Sequence, residues 1–236
     1  MTVPPVEPEP PVTLYKYLAP ERIEILAEMQ LRFSPPSEFN DTFDSDYLVP
    51  KSQGAAGIVA RSRLKRSIGV LCLTEEPDNH LMWVNYAKNH TGLVMGFDAH
   101  APFFGEDGRT SGKVNYQSRP NVLPEAGLDA CFFKSKDWEY EKEWRCVRSF
   151  QSSESRLVTI EPSLVTHVIF GSRMETWQIA RIMQYTTAQQ MQLRFLLSTP
   201  SRKSWRFESR SKEMSVCSAC DGDGYLMEDS KTKDSA

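Results

Sequence analysis

The sequence predicts an α+β domain: a mixed, mainly antiparallel sheet core with flanking helices. Two observations lead there. Short runs rich in β-branched and aromatic residues recur along the chain, as at 12–18 and 68–74. Segments with apolar residues at helical spacing lie between some of them, yet no regular βαβ repeat emerges. Of the 236 residues, 40% are hydrophobic and 11% aromatic, enough to build a real core.

Residues 1–11 are a Pro/Glu run that reads as an extended, polyproline-like tail. The fold is expected to begin at Val12, with a strand over 12–18. Pro20 opens a helix with Glu21 in its first turn and Ile23, Leu26 and Ala27 on one face. Residues 31–34 read as a second short strand. The loop over 35–50 carries Phe39, Asn40, Asp41, Phe43 and Asp46, and loops of that length are often functional or mobile. A basic helix is expected over 55–66. The run 68–74 is the most apolar strand and therefore central. Asp78 is placed to cap a helix through Asn89, with Met82/Tyr86 and Trp83/Ala87 at i,i+4 spacing. Gly92 ends it, and 93–97 returns as a strand. Further strands are expected at 113–117, 141–150, 156–160 and 165–170. A helix over 175–189 places Ile179, Ile182, Met183 and Thr186 on one face, and 191–197 closes the core. The domain is thus 12–198. Residues 199–216 read as a polar linker, and 217–236 as a cysteine knuckle followed by a disordered, charged tail.

The densest chemistry lies in Trp138-Glu139-Tyr140-Glu141-Lys142-Glu143-Trp144-Arg145. Read as a strand, it turns Glu141, Glu143 and Arg145 to one face and Lys142, Trp144 and Cys146 to the other. Two carboxylates on one face are costly unless solvated, paired or used. Either they form an acidic and basic ladder with Arg145 and neighbouring strands, or they do chemistry. Trp138 and Trp144 fit core or rim packing, as do Trp83 and Tyr86 on their helix. Asn40 and Asp41 either close an Asx-type turn or belong to a loop that covers a ligand.

The net charge of -3, with both signs intermixed, gives no reason to expect general nucleic-acid or membrane binding. No apolar run approaches the roughly 18 residues of a membrane-spanning helix. A secretory leader is not expected, because the first residues lack a basic segment followed by an apolar one. The five Cys, two of them in apolar strand-like runs, point to a reducing, cytoplasmic setting. The four His show no metal-type spacing: His80 and His90, on one expected helix, fall almost three turns apart, too far for one ion. There is no Ser-His-Asp or Cys-His arrangement and no Gly-rich phosphate loop.

An ordered series of short motifs carries a resemblance. Leu14-Tyr15-Lys16-Tyr17 is followed by Leu31-Arg32-Phe33-Ser34-Pro35 with Phe39-Asn40-Asp41. Then come Leu71-Cys72-Leu73-Thr74-Glu75 and Met82-Trp83-Val84-Asn85-Tyr86-Ala87, with Gly92 and Phe97-Asp98. The Trp138–Arg145 box completes the set. Over about residues 13–172 this resembles DUF2971, a family of bacterial and phage proteins of unknown function. Where that family usually reads Asn-Asp-Pro-Phe-Glu, this chain has Asn40-Asp41-Thr42-Phe43-Asp44, which keeps the aromatic and the acid.

The order of parts also resembles, more distantly, that of ADP-ribosyltransferases. Tyr15-Lys16-Tyr17 falls at the place of their first strand, Thr74 at their Ser/Thr-ended strand and Glu141-Lys142-Glu143 at their Glu-x-Glu. The resemblance implies NAD as cofactor. Glu143 would stabilise the positive charge that builds on the ribose, and Glu141 would position or deprotonate the acceptor, a protein or nucleic acid. Tyr86 would stack on nicotinamide, with Tyr15, Lys16, Thr74 and Asn40 also at the cofactor. The first strand departs from the pattern: it carries Lys16 between two Tyr, not His or Arg. The setting implied is phage–host conflict or a toxin-like role.

Cys217-x-x-Cys220-x-Gly-x-Gly resembles one repeat of the zinc module of DnaJ-type co-chaperones. Two thiolates at that spacing reach one tetrahedral zinc, but a closed site needs four ligands. A second copy of the chain would complete the count and make a homodimer; an unmetallated knuckle or a redox pair are the alternatives. The other function class is therefore a non-enzymatic binding protein, presenting the Asn40 loop and the Trp138 region and dimerising through zinc.

Overall fold

The computed structural model describes residues 9–44, 59, 62–63, 65–118, 128–204, 206–210, 212–216 and 225–229. It is an α+β fold whose strands pair mostly antiparallel. The chain forms two compact units that interleave along the sequence. The first takes its described residues from Met1–Leu14, Leu31–Glu75 and Ala99–Thr159; the second from Tyr15–Gln30, Glu76–Asp98 and Ile160–Ala236.

In the first unit, β3 (Ile68–Thr74) pairs antiparallel with β8 (Glu143–Ser149), which pairs on its other edge with β5 (Thr110–Lys113). The apolar run of β3 is buried along almost its whole length, as expected for an inner strand. Ile68, Val70, Ala130, Cys131 and Val147 form a core cluster here, with Phe39, Leu128 and Phe132 packed against it. The expected strand over 113–117 is instead two pieces, β5 and β6 (Asn115–Gln117). Val114 breaks them, its amide donating to the Glu143 carbonyl at 2.9 Å, and β6 then pairs in parallel with β7 (Phe133–Ser135). The short β9 (Leu157–Thr159) pairs with β2 (Gln30–Arg32).

The second unit orders its strands β12 (Phe207–Arg210), β11 (Arg194–Pro200), β10 (Val165–Phe170), β4 (Leu93–Asp98) and β1 (Thr13–Leu18). Only β10 and β11 run parallel among the pairings within this set that are described by register, and the helix Thr176–Ala188 makes the crossover that a parallel pair requires. Its buried residues are Ile179, Ala180, Ile182, Met183 and Thr186, four of them the stripe read from the sequence. The helix expected from Pro20 is split into a 3-10 turn (Pro20–Arg22) and α1 (Glu24–Glu28), which stops where Met29 turns left-handed at φ 47°. Residues 199–216 are not a bare linker. β12 covers the open backbone edge of β11, and β13 (Lys212–Val216) pairs with β14 (Tyr225–Asp229).

The helix expected to run to Asn89 is α2 (His80–Tyr86), and its cap is Asn79, not Asp78. The Asn79 carboxamide oxygen accepts the amides of Leu81 and Met82 at 3.0 and 3.2 Å. Asp78 accepts the Ser209 hydroxyl at 2.5 Å. Lys88, Asn89 and His90 then take left-handed φ values of 47°, 56° and 68°, so the chain doubles back instead of continuing the helix. The helix of Thr176–Ala188 is hereafter α3. No helix among the described residues is long and apolar enough to cross a membrane.

Candidate functional site

The Trp138–Arg145 box lies in the first unit and is only half a strand. Ser135 caps a 3-10 helix over Lys136–Glu141, Lys142 turns left-handed at φ 42°, and β8 starts at Glu143. Glu141 therefore does not share a strand face with Glu143 by alternation. Its carboxylate reaches Glu143 by another route. Lys134, on β7, places its Nζ 2.5 Å from Glu141 Oε2 and 3.1 Å from Glu143 Oε2. The Thr74 hydroxyl, at the end of β3, donates to the Glu141 carbonyl at 2.5 Å and fixes the end of the 3-10 helix.

Alternation does hold for Glu143 and Arg145. In the β3–β8 register Thr74 faces Glu143 and Cys72 faces Arg145, so these four side chains share one face. Arg145 is 1% exposed, and each of its five N–H groups has an acceptor. Nε and Nη2 donate to the two oxygens of Glu143 at 2.9 and 3.0 Å. Nη1 and Nη2 donate to the two oxygens of Asp44 at 2.8 and 2.6 Å. The remaining Nη1 hydrogen goes to the Cys131 carbonyl at 2.6 Å. The Phe39 ring lies 5.2 Å from the guanidinium carbon, and the Trp138 ring 4.8 Å from Lys134 Nζ. The Glu143 amide donates to the Tyr116 phenol oxygen at 2.8 Å.

Glu143 is 4% exposed and its carboxyl is pulled down to about 2. Burial alone would raise it; Arg145 and Lys134 together outweigh burial, and the Cys72 thiol adds a hydrogen bond. Burial works against the Lys134 charge too, but Glu143 and Glu141 overcome it and raise the ammonium pKa. Asp44 goes the other way: burial outweighs its guanidinium partner and raises its carboxyl. Among the described contacts, Asp44, Glu141 and Glu143 gather around Lys134 and Arg145.

Glu141, Glu143 and Thr74 thus come together. Asn40 lies in the same unit, exposed on the loop between Phe39 and Asp44. Its neighbour Asp41 forms an Asx turn, Oδ1 accepting the Phe43 amide at 2.9 Å. Tyr15, Lys16 and Tyr86 belong to the second unit, where the Tyr15 ring meets His167 edge-on at 5.6 Å. Cys217 and Cys220 lie outside the described residues. Sequence reasoning missed Lys134, which no local pattern marks. Asp44 had a signal, the acid retained in the Asn40–Asp44 motif. Among the described residues no three or more His, Cys, Asp or Glu are placed to hold one metal ion.

Comparison of the chain with family models, curated proteins and solved structures gave no match.

Proposed function

We propose that the chain is a cytoplasmic, non-enzymatic binding protein whose first unit presents the Asn40 loop and the Trp138 region to a protein partner. The observation that carries this reading is the saturation of Glu143. Four donors converge on a carboxylate with about four acceptor sites: Arg145 Nε and Nη2, Lys134 Nζ and the Cys72 thiol. With its acceptors engaged inside the protein, the acid works as a clamp. Through Arg145 it ties Asp44, and so the loop beside it, to β8. Phe43, 62% exposed next to Asp44, is the apolar group that the clamped loop holds out. The C-terminal knuckle, in this reading, dimerises the protein by sharing zinc between two Cys217/Cys220 pairs. Cys217→Ser/Cys220→Ser is then expected to be a metal-free monomer by metal analysis and sizing.

A second reading, ADP-ribosyl transfer from NAD with the DUF2971 and ADP-ribosyltransferase resemblances behind it, is favoured by one observation. Thr74 and Glu143 are partners across β3 and β8, and Glu143 is held ionised, as a group facing a developing cation must be. One experiment separates the readings. The purified chain is incubated with NAD labelled in the nicotinamide ring, with and without candidate protein and nucleic-acid acceptors. The binding reading expects no nicotinamide release. Release by the wild type that a folded Glu143→Gln variant lacks would overturn it in favour of transfer.

A further inference from the structure

In the second unit the left-handed turn through Lys88, Asn89 and His90 brings two imidazoles together that the sequence keeps ten positions apart. His90 Nε2 lies 3.3 Å from His80 Nδ1. At that distance the two rings share an N–H···N hydrogen bond, its direction set by the tautomer. The same spacing suits one shared ion: two nitrogens about 2.05 Å from a tetrahedral zinc lie about 3.3 Å apart, with ring centres about 5.2 Å apart. The observed ring centres are 5.3 Å apart and the planes within 23°.

Aromatic rings stack on the pair. The Phe207 ring stacks on His90 at 4.3 Å and on His80 at 5.8 Å, and Trp83 stacks on His90 at 5.6 Å. His90 is buried and its Nδ1 has no hydrogen-bond partner, so Nε2 is the nitrogen turned to a neighbour. His80 is exposed and gives access from solvent. Imidazole nitrogens suit zinc, nickel and copper, not the oxygen-seeking magnesium or calcium.

We infer that His80 Nδ1 and His90 Nε2 form a two-histidine site for a late first-row divalent cation, with the other coordination positions left to water or an anionic ligand. Two protein ligands make an exchangeable site, not a closed structural one. Cys217 and Cys220 are themselves candidate metal ligands, so the test removes them. Nickel is therefore titrated into the full chain carrying Cys217→Ser/Cys220→Ser, with bound metal measured after dialysis and the His ring protons followed by NMR. One equivalent is expected to bind, with paramagnetic broadening of the His80 and His90 ring protons. His80→Ala, at an exposed position, is expected to weaken binding about tenfold or more, and His80→Asp to retain it. No uptake, broadening confined to other residues, or unchanged affinity in His80→Ala overturns the site.

Discussion

Arg145 has no donor to spare: two carboxylates and a carbonyl take its five N–H groups inside the first unit. Removing it leaves Asp44 and Glu143 buried and short of charge. Arg145→Met is expected to cost about 3–5 kcal/mol of unfolding free energy, measured by urea denaturation. Arg145→Lys is expected to rescue little, since a point charge cannot span two carboxylates as the guanidinium fork does. A loss under about 1 kcal/mol for Arg145→Met would contradict the clamp. Acid adds an independent handle. Glu143 falls from its ordinary 4.5 to about 2 on folding. A depressed acid stabilises the fold above its unfolded value, and that contribution fades as pH drops from about 4.5 through about 2. Asp44, raised by burial, has the opposite sign: its ionisation costs stability as pH rises past the ordinary Asp value. Glu143→Gln should therefore lower stability at neutral pH and flatten the loss between about pH 4.5 and 2. An unchanged acid limb would sink this assignment. Glu143 and Arg145 were legible in the sequence because they share a strand face. Lys134 was not, since it reaches Glu143 only through the pairing of β6 with β7.

At the scale of elements, local rules located segments and missed their ends. The apolar run of β3 matched residue for residue, and the buried face of α3 holds the four residues read from the sequence with Ala180 beside them, because burial on those faces dominates over any cap. Boundaries failed where one side chain had two options. Asp78 and Asn79 are both good caps; Asp78 is engaged by Ser209 on β12, a partner no local reading supplies, and Asn79 caps. Asn79→Ala is expected to cost about 1 kcal/mol by thermal or urea unfolding, with Asp78→Ala leaving the α2 amides capped. The turn after α2 is set by crowding as well as by φ. A Cβ on Gly92 would sit 2.0 Å from the Leu18 carbonyl oxygen and 3.1 Å from that of Ala87. Both neighbours are backbone and cannot rotate away. Gly92→Ala should cost about 1–3 kcal/mol or more and disturb the His90 turn that follows from it. That disturbance is read as a shift of the His90 ring protons, and a variant of wild-type stability would show that the turn has slack.

For the whole molecule, the α+β class was readable because strand and helix patterns are local, whereas the division into two interleaved units was not. The Asp44–Arg145 pair alone spans 101 positions, and no period or composition shift announces such a contact. The same reasoning explains the misread stretch at 199–216: polar residues suit an edge strand as well as a linker, and β11 supplies the backbone partners that decide. The first unit offers its own probe. Cys72, Cys131 and Cys146 all lie there as free thiols. Burial raises Cys131 to about 12 and Cys146 to about 11, so neither offers thiolate at neutral pH. Cys131 also sits under the guanidinium through its carbonyl, and Cys146 lies on β8 beside Arg145. Iodoacetamide labelling of the native chain followed by mass spectrometry should leave Cys131 and Cys146 unmodified. Labelling across a urea series should then expose the two thiols together, at a midpoint that Arg145→Met moves to lower urea for both. If Cys131 reacts in the native chain, or if the variant exposes one thiol and not the other, the ion cluster does not hold β8 and the Cys131 segment as one cooperative body.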